Sequence, residues 1–391
     1  MQLLRASLLS CVLAVDYTHD WLLERAAFGS CNKQDKPQPL WPVIGAAAPQ
    51  LWLWTGDAVY AHGSAAALAR AVDRQRRNAN YSAFARDVVV VDGAWDDHDL
   101  GVNDAGRGVA ELAARRRAYV ELFDDAARRR ERAEERRGVY GSRRFGPPGR
   151  RATVLLLDTR SFRDDYLLPS WNVGSWCFGI PVLGRLAPLA AAALRLVSGL
   201  LELPRRADFG GDVLGEAQWA WLERELLDAR DSSFVVVASS VQVLTSNPTF
   251  ESWAHFPKAK RRLLALLYAT NASGVALLSG DVHHAEVAAP APGPVCGDVV
   301  EVTSSGLTHA MSTSAVTKLL FPPLLRYFHA HRPEPGAYYA DPNFGRLDFD
   351  WEARTMTVSA RDGDGAAVLA AEVRSCRARP PAAPRRPGGE L

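Results

Sequence analysis

Asp96, Asp97, His98, Asp99, Asn103 and Asp104 crowd into a short stretch directly after the apolar, β-branched run Val88 to Val91. A packed core cannot hold that density of carboxylate and imidazole without a compensating cation, so a metal site competes with a solvated acidic turn. Three other apolar runs end in the same manner. Ala26-Ala27-Phe28 leads to Cys31, Leu51 to Trp54 leads to Asp57 and Tyr60, and Gly274 to Leu278 leads to Asp281 and His283. If each run is a strand, a single sheet brings Cys31, Asp57, Tyr60, Asp97, His98, Asp281 and His283 to one edge. Carboxylates and imidazoles shared between segments suit a two-metal site, in which paired cations clamp the attacking and leaving oxygens of a phosphoryl transfer. Asp57 is the natural bridging ligand. Phenolate binding by Tyr60, whose free pKa is about 10, requires a strongly Lewis-acidic ion such as trivalent iron, beside a hard divalent ion held by oxygen. The competing readings are a buried Tyr60 with a satisfied hydroxyl and Cys31 as a small core residue. His284 reads as the structural member of its pair.

The elements that must position these residues are strands and covering helices. Val88 to Val91, Ala152 to Leu157, Phe234 to Ala238 and Gly274 to Leu278 have the composition of strands buried on both faces. Gly63 to Asn80, Leu214 to Leu227 and Lys258 to Thr270 read as helices, the second amphipathic with its tryptophans in the core. Val109 to Arg137 reads as a solvated helix with a charged loop, ended by Gly138 and Gly141, and Gly146-Pro147-Pro148-Gly149 turns a hairpin. Val299 to Thr303, Asn343 to Trp351, Thr355 to Ala360 and Val368 to Val373 alternate as strands, which suggests a second sheet packed on the first.

With 391 residues and 48% apolar composition the chain can bury a sizeable core. Its net charge of +2 implies no polyanion-binding field, so nucleic acid is not favoured. Lysine is scarce beside arginine, read mainly as coding bias. Five scattered cysteines without a C-x-x-C pair exclude a zinc ribbon or dithiol redox centre. Residues 1–14 read either as a short signal peptide or as an ordinary apolar segment. In the first case the chain is secreted or lumenal, Asn80 and Asn271 are glycosylation acceptors, and Cys296 and Cys376 can pair while Cys31 and Cys177 stay free. The apolar segment 171–203 has no charge-free run approaching the ~20 residues of a span, so a lid over the site or a peripheral membrane contact is expected there. A single domain over 15–378, with a lid-like insertion at 171–210, and a proline-rich tail at 379–391 complete the organisation. The chain is expected to be a monomer.

The motifs also carry a resemblance. Phe28-Gly29-Ser30-Cys31, Gly56-Asp57-x-x-Tyr60, Trp95-Asp96-Asp97-His98-Asp99, Leu157-Asp158-Thr159-Arg160, Gln218-Trp219-x-Trp221-Leu222, Ser239-Ser240-Val241-Gln242 and Gly280-Asp281-x-His283-x-Ala285-Glu286 occur in the order of the PhoD-like alkaline phosphatase D family of metallophosphoesterases. Ser304 to His309 and Asn343-Phe344-Gly345 also resemble that family, and the likeness spans roughly residues 26 to 375. The resemblance implies a mixed α/β (α+β) fold of four layers, two stacked β-sheets flanked by helices. It further implies a centre of one ferric ion and calcium, with Cys31, Asp57, Tyr60, Asp97, Asp281 and His283 among the ligands. Two features depart from the family: there is no room before Phe28 for the N-terminal β-sandwich of many bacterial members, and His62 stands where the turn after Tyr60 usually continues with an acidic residue.

The expected chemistry is hydrolysis of a phosphomonoester or phosphodiester by metal-activated water. His98 would protonate the leaving alkoxide. Arg160 is a candidate phosphate clamp or a structural partner of Asp158. The rival readings are a phospholipase-type phosphodiesterase acting on phospholipid headgroups through 171–203, and a catalytically inactive binding protein.

Overall fold

The structure, a computed structural model, describes residues 18–123, 125–168, 187–289, 299–329, 331–334 and 336–376. The segment 1–14, Cys177, Cys296, the first part of the apolar insertion and the tail 379–391 lie outside those residues. Cys376 is disulfide-bonded and Cys31 is free.

In chain order the strands are β1 (Thr18–His19), β2 (Arg25–Gly29), β3 (Leu51–Thr55), β4 (Val90–Ala94), β5 (Gly141–Phe145), β6 (Ala152–Leu156) and β7 (Phe234–Ala238). They continue with β8 (Val275–Ser279), β9 (Ala285–Ala288), β10 (Val300–Ser304), β11 (Tyr338–Tyr339), β12 (Phe344–Asp350), β13 (Thr355–Arg361) and β14 (Ala367–Arg374). One sheet has the order β1-β5-β6-β7-β8-β10-β9-β11, the other β14-β13-β12-β2-β3-β4. Strands β2, β3 and β4 run parallel in one, and β6, β7, β8 and β10 run parallel in the other.

Side chains alternate across each strand, so a strand covered on both faces feeds two cores. Leu51, Leu53, Val154, Leu156, Val236 and Leu278 point into the core between the sheets. Their neighbours Trp52 and Trp54 pack under helices α1 (Leu40–Ala46), α2 (Ala65–Arg77) and α3 (Ala79–Asp87). On the opposite side, Leu155, Val235, Val237 and Leu277 pack under two helices introduced below. Each buried aliphatic side chain contributes roughly 1.5–3 kcal/mol, which locks the sheets face to face. The result is four layers, helix, sheet, sheet, helix, as expected.

The remaining helices are α4 (Asp97–Leu100), α5 (Leu112–Tyr119), α6 (Ala126–Arg130), α7 (Ala187–Leu200), α8 (Leu203–Arg206), α9 (Gly215–Asp228), α10 (Pro257–Ala269) and α11 (Ala315–Tyr327). Helices α9 and α10 form the outer layer, with Trp219, Trp221, Leu222, Leu263 and Leu267 inward.

Three expectations need correction. The strand-end residues arise from two sheets rather than one, because β12 to β14 pair antiparallel onto β2 and claim β2 to β4 for their own sheet. The arginine-rich stretch is not simply solvated: Arg128 and Arg132 are fully buried on Asp92 of β4, which Arg143 also contacts. Residues between β10 and β12, read without a helix, form α11 despite interior Pro322 and Pro323.

Candidate metal centre and substrate cavity

The carboxyl ends of β2, β3 and β4 meet those of β6, β7, β8 and β10 at one edge of the sandwich, and the chain there is drawn very tight. A Cβ on Gly56 would lie 2.5 Å from Asp96 Cβ and 2.9 Å from Ser240 Cβ, joining the two sheets. At Gly280 it would lie 2.5 Å from the carbonyl oxygen of Thr55. Glycine is therefore required where the sheets approach.

Each turn then throws one side chain into the same volume. Cys31, Asp57, Asp281 and His283 have φ of 59°, 48°, 72° and 60°, a left-handed backbone that L-residues other than Asn and Asp rarely adopt. Strain held at four adjoining positions is the mark of a site fixed by its surroundings.

Asp57 is the hub. Its Oδ2 accepts a hydrogen bond from the Tyr60 hydroxyl at 2.8 Å and lies 3.7 Å from Cys31 Sγ, while Oδ1 accepts from the backbone N–H of His98 at 3.3 Å. The Tyr60 hydroxyl is 3.4 Å from His283 Nε2. Asp57 and Asp97 with His98, and Asp96 and Asp97 with Asp281, each place donor atoms within 4.8 Å of one another. All six sequence-predicted ligands thus lie in one connected cluster.

Burial and mutual repulsion dominate the electrostatics of this cluster. Burial, then repulsion from Asp97, Asp96, Asp99 and Asp281, pushes the Asp57 carboxyl well above the usual range. Burial and neighbouring carboxylates do the same to Asp281. Burial also raises the Cys31 thiol and the Tyr60 phenol, with Asp57 adding to both. The His283 imidazole is held down at about 3, by burial first and then His98. Asp96 Oδ2 and Asp97 Oδ1 are buried with no hydrogen-bond partner. Orphaned carboxylate oxygens beside a thiol, a phenol and an imidazole form a donor set that fits a pair of cations, hard oxygen ligands for one and softer or more acidic ligands for the other. The residues present therefore fit the metal group expected from the sequence.

Supporting residues hold these donors in place. Asp99 receives the N–H groups of Val59 and Asp96, at 3.1 and 2.8 Å, tying the β3 turn to the β4 turn. Asp97 Oδ2 accepts from the N–H of Asp104 at 2.6 Å. His284 faces away, with Nδ1 2.9 Å from the carbonyl of Val282, as a structural residue does. His62 is exposed, and Gln34, whose Oε1 accepts from the Tyr60 N–H at 2.9 Å, supports the turn instead.

Asp97, His98, Asp281 and His283 open onto a cavity of about 200 Å³ also lined by Arg195 and Phe321, and Cys31, Asp57 and Tyr60 are not among its lining residues. His98 stacks on Tyr60 with centroids 4.3 Å apart and reaches the cavity. Burial lowers its pKa, with Asp97 opposing.

Arg160 is neither a clamp facing the cavity nor a guanidinium partner of Asp158. It is fully buried, pairs with Asp96, and bonds Glu251 Oε1 and Oε2 at 3.1 and 2.5 Å. Asp158 instead accepts from Trp95 Nε1 at 2.8 Å and the Ser161 hydroxyl at 2.6 Å. The guanidinium that lines the cavity is Arg195 of α7, bonded through Nε to the carbonyl of Thr249 at 3.0 Å and paired with Asp104. Arginine in an otherwise apolar segment, at Arg185 and Arg195, was the available signal. Ser305, 2.9 Å from Cys31 Sγ and 2.8 Å from the N–H of His283, and His309, whose ring lies 4.4 Å from that of His283, were also missed as individual residues.

Two sheets between helices, with acidic ligands where parallel strands of both sheets end, define a metallophosphoesterase-like protein. A family model for PhoD-like phosphatases matches residues 76–359, and the chain belongs to that family. The match includes Asp97, Asp281 and His283; Cys31, Asp57 and Tyr60 precede it. The fold is similar to that in the "Structure of PhoD", with TM-score 0.62 and 15% identity over 87% of this chain and 66% of that one. It is similar also to the purple acid phosphatase PPD1 of yellow lupin (Lupinus luteus) seeds, with TM-score 0.51 and 12% identity over 90% of this chain and 54% of that one. GAP50, the anchor in the inner membrane complex of Plasmodium, gives TM-score 0.48 and 11% identity over 90% of this chain and 89% of that one. The chain thus spans about two thirds of the PhoD chain and about half of the lupin enzyme. No curated protein matches the chain in sequence.

Proposed function

We propose that the protein is a metal-dependent phosphoric ester hydrolase with a centre of ferric iron and calcium. The observation that carries this reading is Asp57, whose carboxylate touches donors from several turns while, among the described residues, no protein cation lies within its hydrogen bonds. Cys31, Asp57, Tyr60, Asp97, Asp281 and His283 would hold the metals. When bound, they supply a nucleophilic water at neutral pH and neutralise charge on the phosphoryl oxygens.

The protein's own groups do the rest. Asp57 orients Tyr60 and the His98 turn through its two oxygens. His98, at the cavity wall, donates a proton to the departing alkoxide. Arg195, held by Asp104 and Thr249, presents its guanidinium to a non-bridging phosphate oxygen. Phosphomonoesters and phosphodiesters of modest size suit the cavity. The disulfide at Cys376 supports a secreted or lumenal location, where such bonds persist.

The test is metal analysis of the purified chain together with turnover of p-nitrophenyl phosphate and bis(p-nitrophenyl) phosphate. Iron near one equivalent, calcium beside it and hydrolysis of one or both esters are expected. A well-folded chain that takes up neither metal and hydrolyses neither ester is a binding protein, and the reading falls.

A further inference from the structure

Helix α11 presents two adjoining stripes. Thr317 and Phe321, one turn apart, line the cavity onto which Asp97 and His98 open. One residue out of phase, Val316 and Leu320 are 52% and 49% exposed, and Leu319 and Tyr327 are 75% and 76% exposed. Leu325 is the buried residue of the helix. Nine large apolar side chains are exposed among the described residues, and four of them are on α11. Three more, Val197 and Leu200 at the end of α7 and Leu201 just beyond it, belong to a second helix that lines the cavity, through Ala192 and Arg195. Concentration of such residues around a cavity mouth marks an interaction surface.

Charge selects the occupant. From Val302 to Pro333 the chain has no Asp or Glu, while Lys318 and Arg326 of α11 are exposed beside the apolar stripe. Apolar and aromatic residues flanked by cations, without acids, describe a helix lying in the headgroup plane of a bilayer. Among the described residues no helix is long and apolar enough to cross a membrane. We infer that α11, assisted by the end of α7, docks the protein on an anionic lipid surface with the cavity mouth facing the headgroups. Docking stands apart from catalysis; delivery of a lipid phosphodiester to the cavity rests on the phosphoesterase reading. The surface sought from sequence within 171–203 is thereby extended to a helix more than a hundred residues further on.

The experiment is sedimentation of the full chain with phosphatidylcholine vesicles containing or lacking phosphatidylserine, with light scattering of the free protein alongside. The wild type should pellet with the phosphatidylserine vesicles. The double substitution Leu319→Asp, Leu320→Asp should lower partitioning about tenfold or more. Lys318→Gln and Arg326→Gln should each lower it roughly fivefold on anionic vesicles and leave neutral ones unchanged. All four side chains are exposed and outside the site, so melting temperature and turnover of a soluble ester should hold. Wild-type protein that stays in the supernatant, or variants that pellet equally well, overturn the proposal. So does a dimer dispersed by Leu319→Asp, Leu320→Asp without vesicle binding, since a second copy then covers the face. A chain that pellets but hydrolyses no ester retains docking and removes the phosphoesterase reading; one active on soluble esters that never pellets removes docking alone.

Discussion

Asp92, in the middle of β4, and Asp57, just past the end of the neighbouring β3, are both fully buried aspartates, yet their surroundings are opposite. Asp92 is met by Arg128 at 2.7 Å, Arg132 at 2.8 Å and Arg143 at 2.5 Å, and despite burial these arginines hold its carboxyl well below the usual range. Asp57 is met by a phenol, a thiol and a backbone N–H, with four further carboxylates acting on it, and its carboxyl is pushed far up. A fold that surrounds one buried acid with arginine has the means to neutralise charge. Among the described residues the hydrogen bonds of Asp57 include no protein cation, and Arg160 reaches the cluster only at Asp96, which leaves Asp57 to a metal, since buried charges persist only when paired or coordinated.

The sharpest way to break this contrast is to neutralise each acid in turn. Asp57→Asn should remove bound metal and lower kcat/KM by about three orders of magnitude or more, since several kcal/mol of charge stabilisation go with the metals. The metal-free fold should survive, because a repelled charge has been removed; metal analysis and circular dichroism read both effects. Retention of full activity would sink the assignment. Asp92→Asn should do the reverse: it strands three buried guanidinium groups, costs roughly 3–5 kcal/mol in a denaturant titration, and leaves activity per folded molecule unchanged.

A second comparison sets Arg160 against Arg195, and His98 between them. His98→Ala should keep its metal and slow alkyl phosphate esters about a hundredfold, with a much smaller effect on p-nitrophenyl esters, whose leaving group needs no proton. Arg195→Ala should lower kcat/KM roughly tenfold, the scale of a hydrogen bond to a charged group, at constant metal content. An equal loss of stability and activity would instead make Arg195 a structural partner of Asp104, like Arg160 with Glu251.

The smallest effect separates the two aspartates by pH. A folded-state pKa raised above the unfolded value, as at Asp57 without metal, means that stability falls as pH rises above the unfolded carboxylate pKa of about 4. Chelator-treated protein should therefore melt several degrees lower than the metal-bound form, with the gap widening from acid to neutral pH. The depressed pKa of Asp92 has the opposite sign: its stabilisation is present above about pH 4 and is lost as the pH falls further, with or without chelator. A gap independent of pH would remove the account given for Asp57.

What the sequence by itself determined is local. Apolar runs ending in Cys31, Asp57, Asp97 and Asp281 could be read because strand composition and the polar residue after it lie within a few positions of each other. The residue types dictated the metal chemistry for the same reason. Only the tertiary structure decided that these ends belong to two sheets, that Arg160 turns inward to Glu251 while Arg195 takes the cavity, and that Asp92 gathers Arg128 and Arg132 from a stretch that reads as solvated and Arg143 from β5. Those outcomes join residues far apart in the chain: Arg128 lies 36 positions from Asp92, Glu251 lies 91 from Arg160, and Gly345 of β12 pairs with Phe28 of β2. A side chain's partner at such distances is chosen by which faces pack together, and packing has no period in the chain that could be read in advance.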